Sequence, residues 1–257
     1  MAIRSPLHVA RSHDRPEDSV VARFRERVLA TFGDDVKRIV LFGSRARGEE
    51  HAESDWDFAV FFDHAPTEHE ARALSDLTWA VQHELDTEIQ SMARSGQAWL
   101  ATDELACNVR DHGRVVYGPA DIPMIERPVL QHARVALGKA ERFAELSHET
   151  PDDRFEGVIH GAYYAMFHAA RAALLAVEGS ASTNHGRVVD TFARMVKRRR
   201  TKAERGHAAA LKAAFEFRME ADYGNDDLTE AGRELRAQVG SFLEFCRDLV
   251  DSAAADG

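Results

Sequence analysis

The stretch "LFGSRARGEEHAESDWDFAV", Leu41 to Val60, contains a Gly-Ser turn, two arginines, a polar loop and then two aspartates one residue apart. From Trp56 onward it reads as a strand, and strand side chains alternate between faces. Trp56, Phe58, Val60 and Phe62 therefore form one apolar face. Asp55 and Asp57 point to the other, with side chains about 6–7 Å apart along the strand. Two like charges at that range repel, and ionising both is costly without a counter-charge. A divalent cation resolves the conflict. Oxygen donors of this kind suit Mg²⁺, which takes one or two carboxylates and fills its shell with water and phosphate oxygens. Upstream, Gly43 and Ser44 follow the apolar run "RIVLF". Glycine lets the backbone approach a ligand closely. Backbone N–H groups at a helix start, with the serine hydroxyl beside them, bind anions. Arg45 or Arg47 can add charge-assisted hydrogen bonds. A phosphate grip followed by a metal-binding carboxylate pair is what phosphoryl or nucleotidyl transfer requires.

Working outward, the text on both sides alternates between short apolar runs and helical patterns. Strands are expected at 37–43, 56–62, 87–92 and 114–118, and helices at 17–32, 67–85 and 100–112. After "GPADIPMIERP", with Pro119, Pro123 and Pro128, the pattern turns helical. Helices are expected at 129–148, 152–178, 185–199, 202–220 and 228–251. Ile159, Tyr163, Phe167, Ala170 and Leu174 recur at helical spacing, as do Leu228, Leu235, Val239, Leu243, Cys246 and Leu249. Such stripes must bury against each other, which favours an antiparallel bundle. The expected fold class is α+β: a domain over 1–120 with a small mixed sheet flanked by helices, then an all-α bundle over 125–257. The tail "DSAAADG" is expected to fray.

Composition narrows the function. The net charge is −10, and residues 1–125 carry 22 acidic against 14 basic side chains. Neither half has the basic excess of a dedicated nucleic-acid binder. The run "VKRRRTK", 196–202, is the local exception and reads either as a solvated helix end or as an RNA or phosphate contact. Cys107 and Cys246 are too few for a disulfide framework and lack metal-ligand spacing, which fits a reducing cytoplasm. No run is long enough to span a bilayer, and the N-terminus has no apolar core of a secretion signal. A cytoplasmic location with no membrane partner is expected.

The full string "GSRARGEEHAESDWD" resembles the Pol β-type nucleotidyltransferase superfamily, and its wording is closest to the minimal nucleotidyltransferase branch. The resemblance covers about residues 17–118. It implies Asp55 and Asp57 as ligands of Mg²⁺ or Mn²⁺, and Gly43, Ser44, Arg45 and Arg47 as the grip on an NTP donor, ATP being the expected one. It also implies a third carboxylate on a neighbouring strand, which falls in "DTEIQSM". Glu88 occupies that place as metal ligand or general base. Asp86, two residues earlier on the same expected strand face, is the alternative. Many relatives have aspartate there; glutamate is one methylene longer.

The second half carries its own resemblance. "HGAYYAMFHAARAALLA", 160–176, resembles the HEPN family, and "NHGRVVDTFARMV" and "FRMEADYG" look like later segments of it. Many HEPN proteins are metal-independent ribonucleases with an arginine followed four to six residues later by a histidine. In the matching wording the arginine aligns with Gly161 and the histidine with His168, so the arginine is missing. Arg154 and His160 fit the loose spacing instead. Tyr164, His168 and Arg171 share a stripe that can line a groove, while Tyr163 falls on the core stripe. His185 and Arg218 are further polar candidates. The two resemblances together imply transfer of AMP to a protein tyrosine, as in toxin–antitoxin pairs, with Tyr164 as a candidate target and a homodimer as the assembly. Two alternatives stand beside this: transfer to a small molecule of the aminoglycoside type, and an RNA-cleaving or RNA-binding bundle regulated by the first domain.

Overall fold

A computed structural model describes residues 16–48, 54–123, 125–199 and 202–255. Residues 49–53 of the opening stretch, and 200 and 201 of the basic run, lie outside the described residues. The chain divides into two compact units, Met1–Arg127 and Pro128–Gly257.

The first unit is built on a four-stranded sheet in the order β3-β2-β1-β4, with β1 (Val36–Phe42), β2 (Trp56–Phe62), β3 (Ile89–Ser95) and β4 (Arg114–Tyr117). β1 runs antiparallel to β2 and β4, and β2 runs parallel to β3, so the sheet is mixed. The alternation along β2 explains both of its faces. Trp56, Phe58, Val60 and Phe62 pack with Phe24 and Val28 of α1 (Pro16–Phe32) and with Leu74, Leu77 and Val81 of α3 (Glu68–Leu85). Phe24 and Phe58 stack with ring centroids 4.1 Å apart. On the opposite face Ala59 and Phe61 pack with Val40, Trp99 and Val109, the last from α4 (Glu104–His112). The sheet is thus covered on both sides. Asp55, just before β2, and Asp57 are the polar residues that start this second face.

Helix ends in this unit follow side-chain chemistry. Thr67 and Glu70 form a reciprocal capping box at the start of α3. Asp103 caps α4 through the Ala106 N–H. That cap corrects the expected helix at 100–112: residues Gly96–Leu100 form a separate 3-10 turn, and α4 starts only at Glu104. Two buried arginines tie loops down. Arg110 donates to the carbonyls of Trp99 and Ala101, and Arg38 to that of Pro119 while pairing with Asp121 at 2.8 Å.

The second unit is a bundle of α5 (Val129–Glu149), α6 (Phe155–Glu178), α7 (His185–Arg199), α8 (Lys202–Tyr223) and α9 (Thr229–Ala255). α6 is apolar on nearly all sides, as a central helix must be. Its core stripe of Ile159, Tyr163, Phe167, Ala170 and Leu174 is buried, and so are Leu235, Val239, Leu243, Cys246 and Leu249 of α9. Helix α9 continues through Ala255. The expected fraying of the tail is corrected that far, because alanine favours helix. α5 and α6 approach closely at Gly161, where an added Cβ would lie 2.9 Å from the Ser147 Cα. The Ser147 hydroxyl donates to the Val158 carbonyl at 3.0 Å across the same crossing.

Candidate active site

The sheet register places the Gly43–Ser44 turn against the carboxylate pair. Phe42 at the end of β1 pairs with Asp57 on β2, so the next residue, Gly43, lies against Asp57. Gly43 has φ +77°, and a Cβ there would overlap the Asp57 carboxylate. Only glycine satisfies both the left-handed backbone and the close approach. Gly43 opens the one-turn helix α2 (Gly43–Arg47), which Gly48 closes with φ +66°. Ser44 is half-buried at the start of that turn.

The two arginines of α2 have different surroundings. Arg45 donates from Nε to the Ser54 carbonyl at 2.8 Å, and its guanidinium lies 4.3 Å from the Trp56 ring centroid. It staples the turn to the start of β2. Arg47 is exposed, and its charge acts on Asp57.

Asp55 and Asp57 are half-buried on one face. Burial first, and then the neighbouring Asp55 charge, push the Asp57 carboxyl up to about 6, with Arg47 partly opposing. Two carboxylates side by side with insufficient counter-charge and an all-oxygen donor set fit a divalent cation.

β3 completes the face. Trp56 pairs with Ile89 and Asp57 with Gln90, and the Trp56 N–H donates to the Glu88 carbonyl at 2.9 Å. Trp56 and Ile89 belong to the apolar cluster, so alternation turns Glu88 and Gln90 to the side of Asp55 and Asp57. Glu88 is exposed at the mouth of the strand. Asp86 is not on the strand. It is the left-handed C-cap of α3, with φ +47° and its N–H on the Gln82 carbonyl. The expected strand at 87–92 is corrected accordingly: α3 ends at Leu85 as expected, but the Asp86 cap and the two residues after it delay β3, which runs over Ile89–Ser95. Gln90, which the sequence reading passed over, donates from Nε2 to Asp55 Oδ2 at 2.8 Å. The signal was there, since Gln90 lies two residues beyond Glu88 on the same face.

A second group of possible cation ligands, Asp35, Asp63 and His64, lies elsewhere. Val36 pairs with Phe62, so this group sits at the far end of β1 and β2, about 20 Å from Asp57 at strand rise. The two His64 ring nitrogens contact Asp63 at 2.6 Å and Glu70 at 3.0 Å. Those carboxylates raise the imidazole's affinity for its proton, which works against metal ligation.

In the bundle, Arg154 is exposed at the N-terminal boundary of α6. Six residues of helix leave it about 120° from His160. His160 instead meets Asp222 at 2.7 Å, and Asp222 also binds Arg218 at 2.7 Å. The Asp222 link was not read from the sequence; its trace is the i, i+4 spacing from Arg218. Gly161 faces the α5 backbone, so an arginine there would have to displace Ser147. Tyr163 is fully buried, with its hydroxyl 2.5 Å from His185 Nδ1. Burial holds His185 below its usual range, helped by the Arg218 and Arg171 charges. Tyr164 and His168 both stack on Phe143. Burial and then the Arg171 charge push His168 down to about 4. The expected Tyr164–His168–Arg171 stripe exists, but Phe143 covers part of it, and Arg171 is buried with its Nε on the Ser182 carbonyl. Of the basic run, Arg198 pairs with Glu178 at 3.0 Å.

Comparison with known proteins matches this division. The family model described as polymerase beta, nucleotidyltransferase, matches residues 26–118, and the HEPN domain model matches residues 132–249. The chain is a Pol β-type nucleotidyltransferase domain followed by a HEPN domain. No curated protein matches the sequence. Among solved structures, spectinomycin adenyltransferase AAD(9) from Enterococcus faecialis, determined with ATP and spectinomycin, shares the fold, with a TM-score of 0.53 and 11% identity over 87% of this chain and 99% of that one. A toxin–antitoxin complex with AMP-PNP aligns at 22% identity and a TM-score of 0.31, covering 37% of this chain and 72% of that one. The toxin–antitoxin MntA-HepT aligns at 18% identity and a TM-score of 0.29, covering 40% and 73%. No helix among the described residues is long and apolar enough to cross a membrane.

Proposed function

From the premise of a nucleotidyltransferase domain joined to a HEPN domain, we propose that this chain transfers a nucleoside monophosphate, AMP from ATP, to a hydroxyl acceptor. The observation that carries the reading is the Gly43–Asp57 contact: a glycine-led turn suited to a phosphate lies directly on a paired-carboxylate face suited to a cation. Ser44 and Arg47 hold the triphosphate, while Arg45 keeps the turn in place from behind. Asp55 and Asp57 would hold Mg²⁺ or Mn²⁺, which when bound would supply positive charge at the phosphates and at the attacking oxygen. Glu88, exposed beside them, accepts the acceptor's proton. The acceptor oxygen bonds to the α-phosphorus, the bond to the bridging oxygen breaks, and pyrophosphate leaves.

The acceptor in this reading is a protein hydroxyl, in a setting like that of the toxin–antitoxin proteins. Within the chain, the exposed phenol is Tyr223, at 77%. Tyr163 is buried, and Tyr164 is stacked on Phe143. Tyr223 therefore joins the partly exposed Tyr164 as a candidate internal target. A small-molecule acceptor is the second reading, favoured by the fold shared with the spectinomycin adenyltransferase over nearly its whole length. Ribonuclease action has weaker support, because Arg154 and His160 diverge around α6 and His160 is engaged by Asp222.

The test is intact-mass spectrometry after incubation with each NTP and Mg²⁺, with an Asp55→Ala/Asp57→Ala variant as control. A gain of one nucleoside monophosphate in the wild type alone, mapped to Tyr223 or Tyr164, establishes transfer and donor. Gain on an added aminoglycoside and none on protein selects the second reading. Absence of both, with no metal-dependent nucleotide binding, refutes transfer.

A further inference from the structure

We infer that Gln90 is a positioning residue of the transfer site: its side-chain amide fixes the Asp55 carboxylate so that the free oxygen is presented to the cation. The inference rests on the transferase reading above and concerns a residue that reading does not use.

Three observations converge. β3 brings Gln90 level with Asp57, on the face that carries both aspartates. Gln90 nevertheless bonds diagonally to Asp55, from Nε2 to Oδ2 at 2.8 Å. An ionised carboxylate only accepts hydrogen bonds, so the amide must turn its NH₂ toward Asp55 and its oxygen away. One Asp55 oxygen is thereby committed and the other is left to coordinate. Asp55 precedes the first residue of β2, between the Ser54 carbonyl held by Arg45 and the Trp56 N–H on the Glu88 carbonyl; these bonds fix the backbone and not the rotation of the carboxylate. A side-chain tether there restricts a carboxylate that the strand alone holds only from one side.

The residue type matters as much as the position. A glutamate at 90 would put a further anion against Asp55 in place of a donor, in a site already short of positive charge. A leucine would cover the same area and leave Asp55 free to rotate. Glutamine is neutral, donates to the carboxylate and does not offer that NH₂ to a cation. Groups that orient metal ligands from behind act in this way, and their loss weakens metal affinity by about 10–100-fold.

Calorimetric titration of the full chain with an ATP analogue that cannot be cleaved between the α- and β-phosphates, in Mg²⁺ and separately in EDTA, tests the assignment. Gln90→Leu and Gln90→Thr are compared with wild type, and thermal unfolding is followed without metal. The expected result is a loss of about tenfold or more in Mg²⁺-dependent affinity, with binding in EDTA and the metal-free midpoint unchanged. Both variants within twofold of wild type in Mg²⁺ would overturn the role. So would equal losses in Mg²⁺ and EDTA with a lowered metal-free midpoint, which mark a structural residue. A folded wild type that binds the analogue no better in Mg²⁺ than in EDTA overturns the transferase reading itself, and the inference with it.

Discussion

Gly43, the residue after β1, and Asp57 on the adjacent antiparallel strand β2 touch so closely that no side chain fits between them: a Cβ on Gly43 would overlap the Asp57 carboxylate. The turn that would hold the triphosphate and the carboxylate that would hold the cation are therefore one structural unit.

Gly43→Ala should break that unit. The substitution meets both the left-handed backbone at φ +77° and the carboxylate. Backbone strain of this kind costs about 1–3 kcal/mol, and the displaced Asp57 should reduce transfer by at least about a hundredfold, the scale of losing a positioned charge. Gly48→Ala is the control. It has φ +66° but open space around its Cβ position, so it should cost about 1 kcal/mol and keep most of its activity. Equal activity in the two variants, measured by nucleotide transfer or analogue binding, would dissociate the turn from the carboxylate.

Asp57 predicts a pH dependence of the metal-free protein. Its folded-state carboxyl is raised from 3.8 to about 6. A raised carboxyl binds more protons in the folded than in the unfolded chain, so stability falls with rising pH between those values. Its contribution is present below about pH 4 and lost as pH rises through about 6. Unfolding of wild type against Asp57→Asn in EDTA from pH 4 to 7 should show wild type losing stability relative to the variant. At pH 7.5, Mg²⁺ should raise the wild-type midpoint and leave that of the variant unchanged. Parallel pH profiles for the two proteins would mean that Asp57 is solvated and not confined against Asp55.

The division between Arg45 and Arg47 predicts opposite phenotypes. Arg45 stacks on Trp56 and binds the Ser54 carbonyl, so Arg45→Ala should lower stability by about 1–2 kcal/mol, the scale of a charged hydrogen bond with a cation–π contact. Arg47 is exposed. Arg47→Ala should leave the unfolding midpoint nearly unchanged and weaken nucleotide binding by about tenfold, as expected for loss of one charge-assisted phosphate contact. The reverse pattern in melting and titration experiments would exchange the two roles.

The bundle offers a packing prediction. Gly161 sits where an added Cβ meets Ser147 backbone and side chain at 2.9 Å. Gly161→Ala should destabilise the chain by about 1–3 kcal/mol through overpacking. Gly161→Arg, which would restore the arginine of the ribonuclease spacing, should unfold the bundle and not confer RNA cleavage. A folded Gly161→Arg variant by circular dichroism would show that α5 can move away from the crossing.

Much of this was legible in the sequence because it depends on local chemistry. The period of two in Trp56–Phe62 gave β2 and its two faces, and the Gly43–Ser44 and Asp55–Asp57 spacing gave the turn and the carboxylate pair. The long apolar stripes gave five helices with starts near the observed ones. Asp86 was misread because a left-handed C-cap is a backbone conformation, and "LDTEI" contains no glycine to announce one. Gln90 and Asp222 were missed because their partners, Asp55 and His160, are distant along the chain.

The sequence by itself determined which residues alternate, which helices have a buried side, and which side chains can bear charge toward a phosphate or a cation, since these follow from period, propensity and functional group. Tertiary structure decided what distant groups do to each other. Strand register brought Gly43 onto Asp57 and Gln90 to Asp55, a ring beneath Arg45 removed it from the solvent-facing side of the turn, and a helix crossing at Ser147 denied position 161 a side chain. Each of these depends on atoms brought within a few ångströms by packing, and short-range repulsion, hydrogen bonding and desolvation act only at that distance.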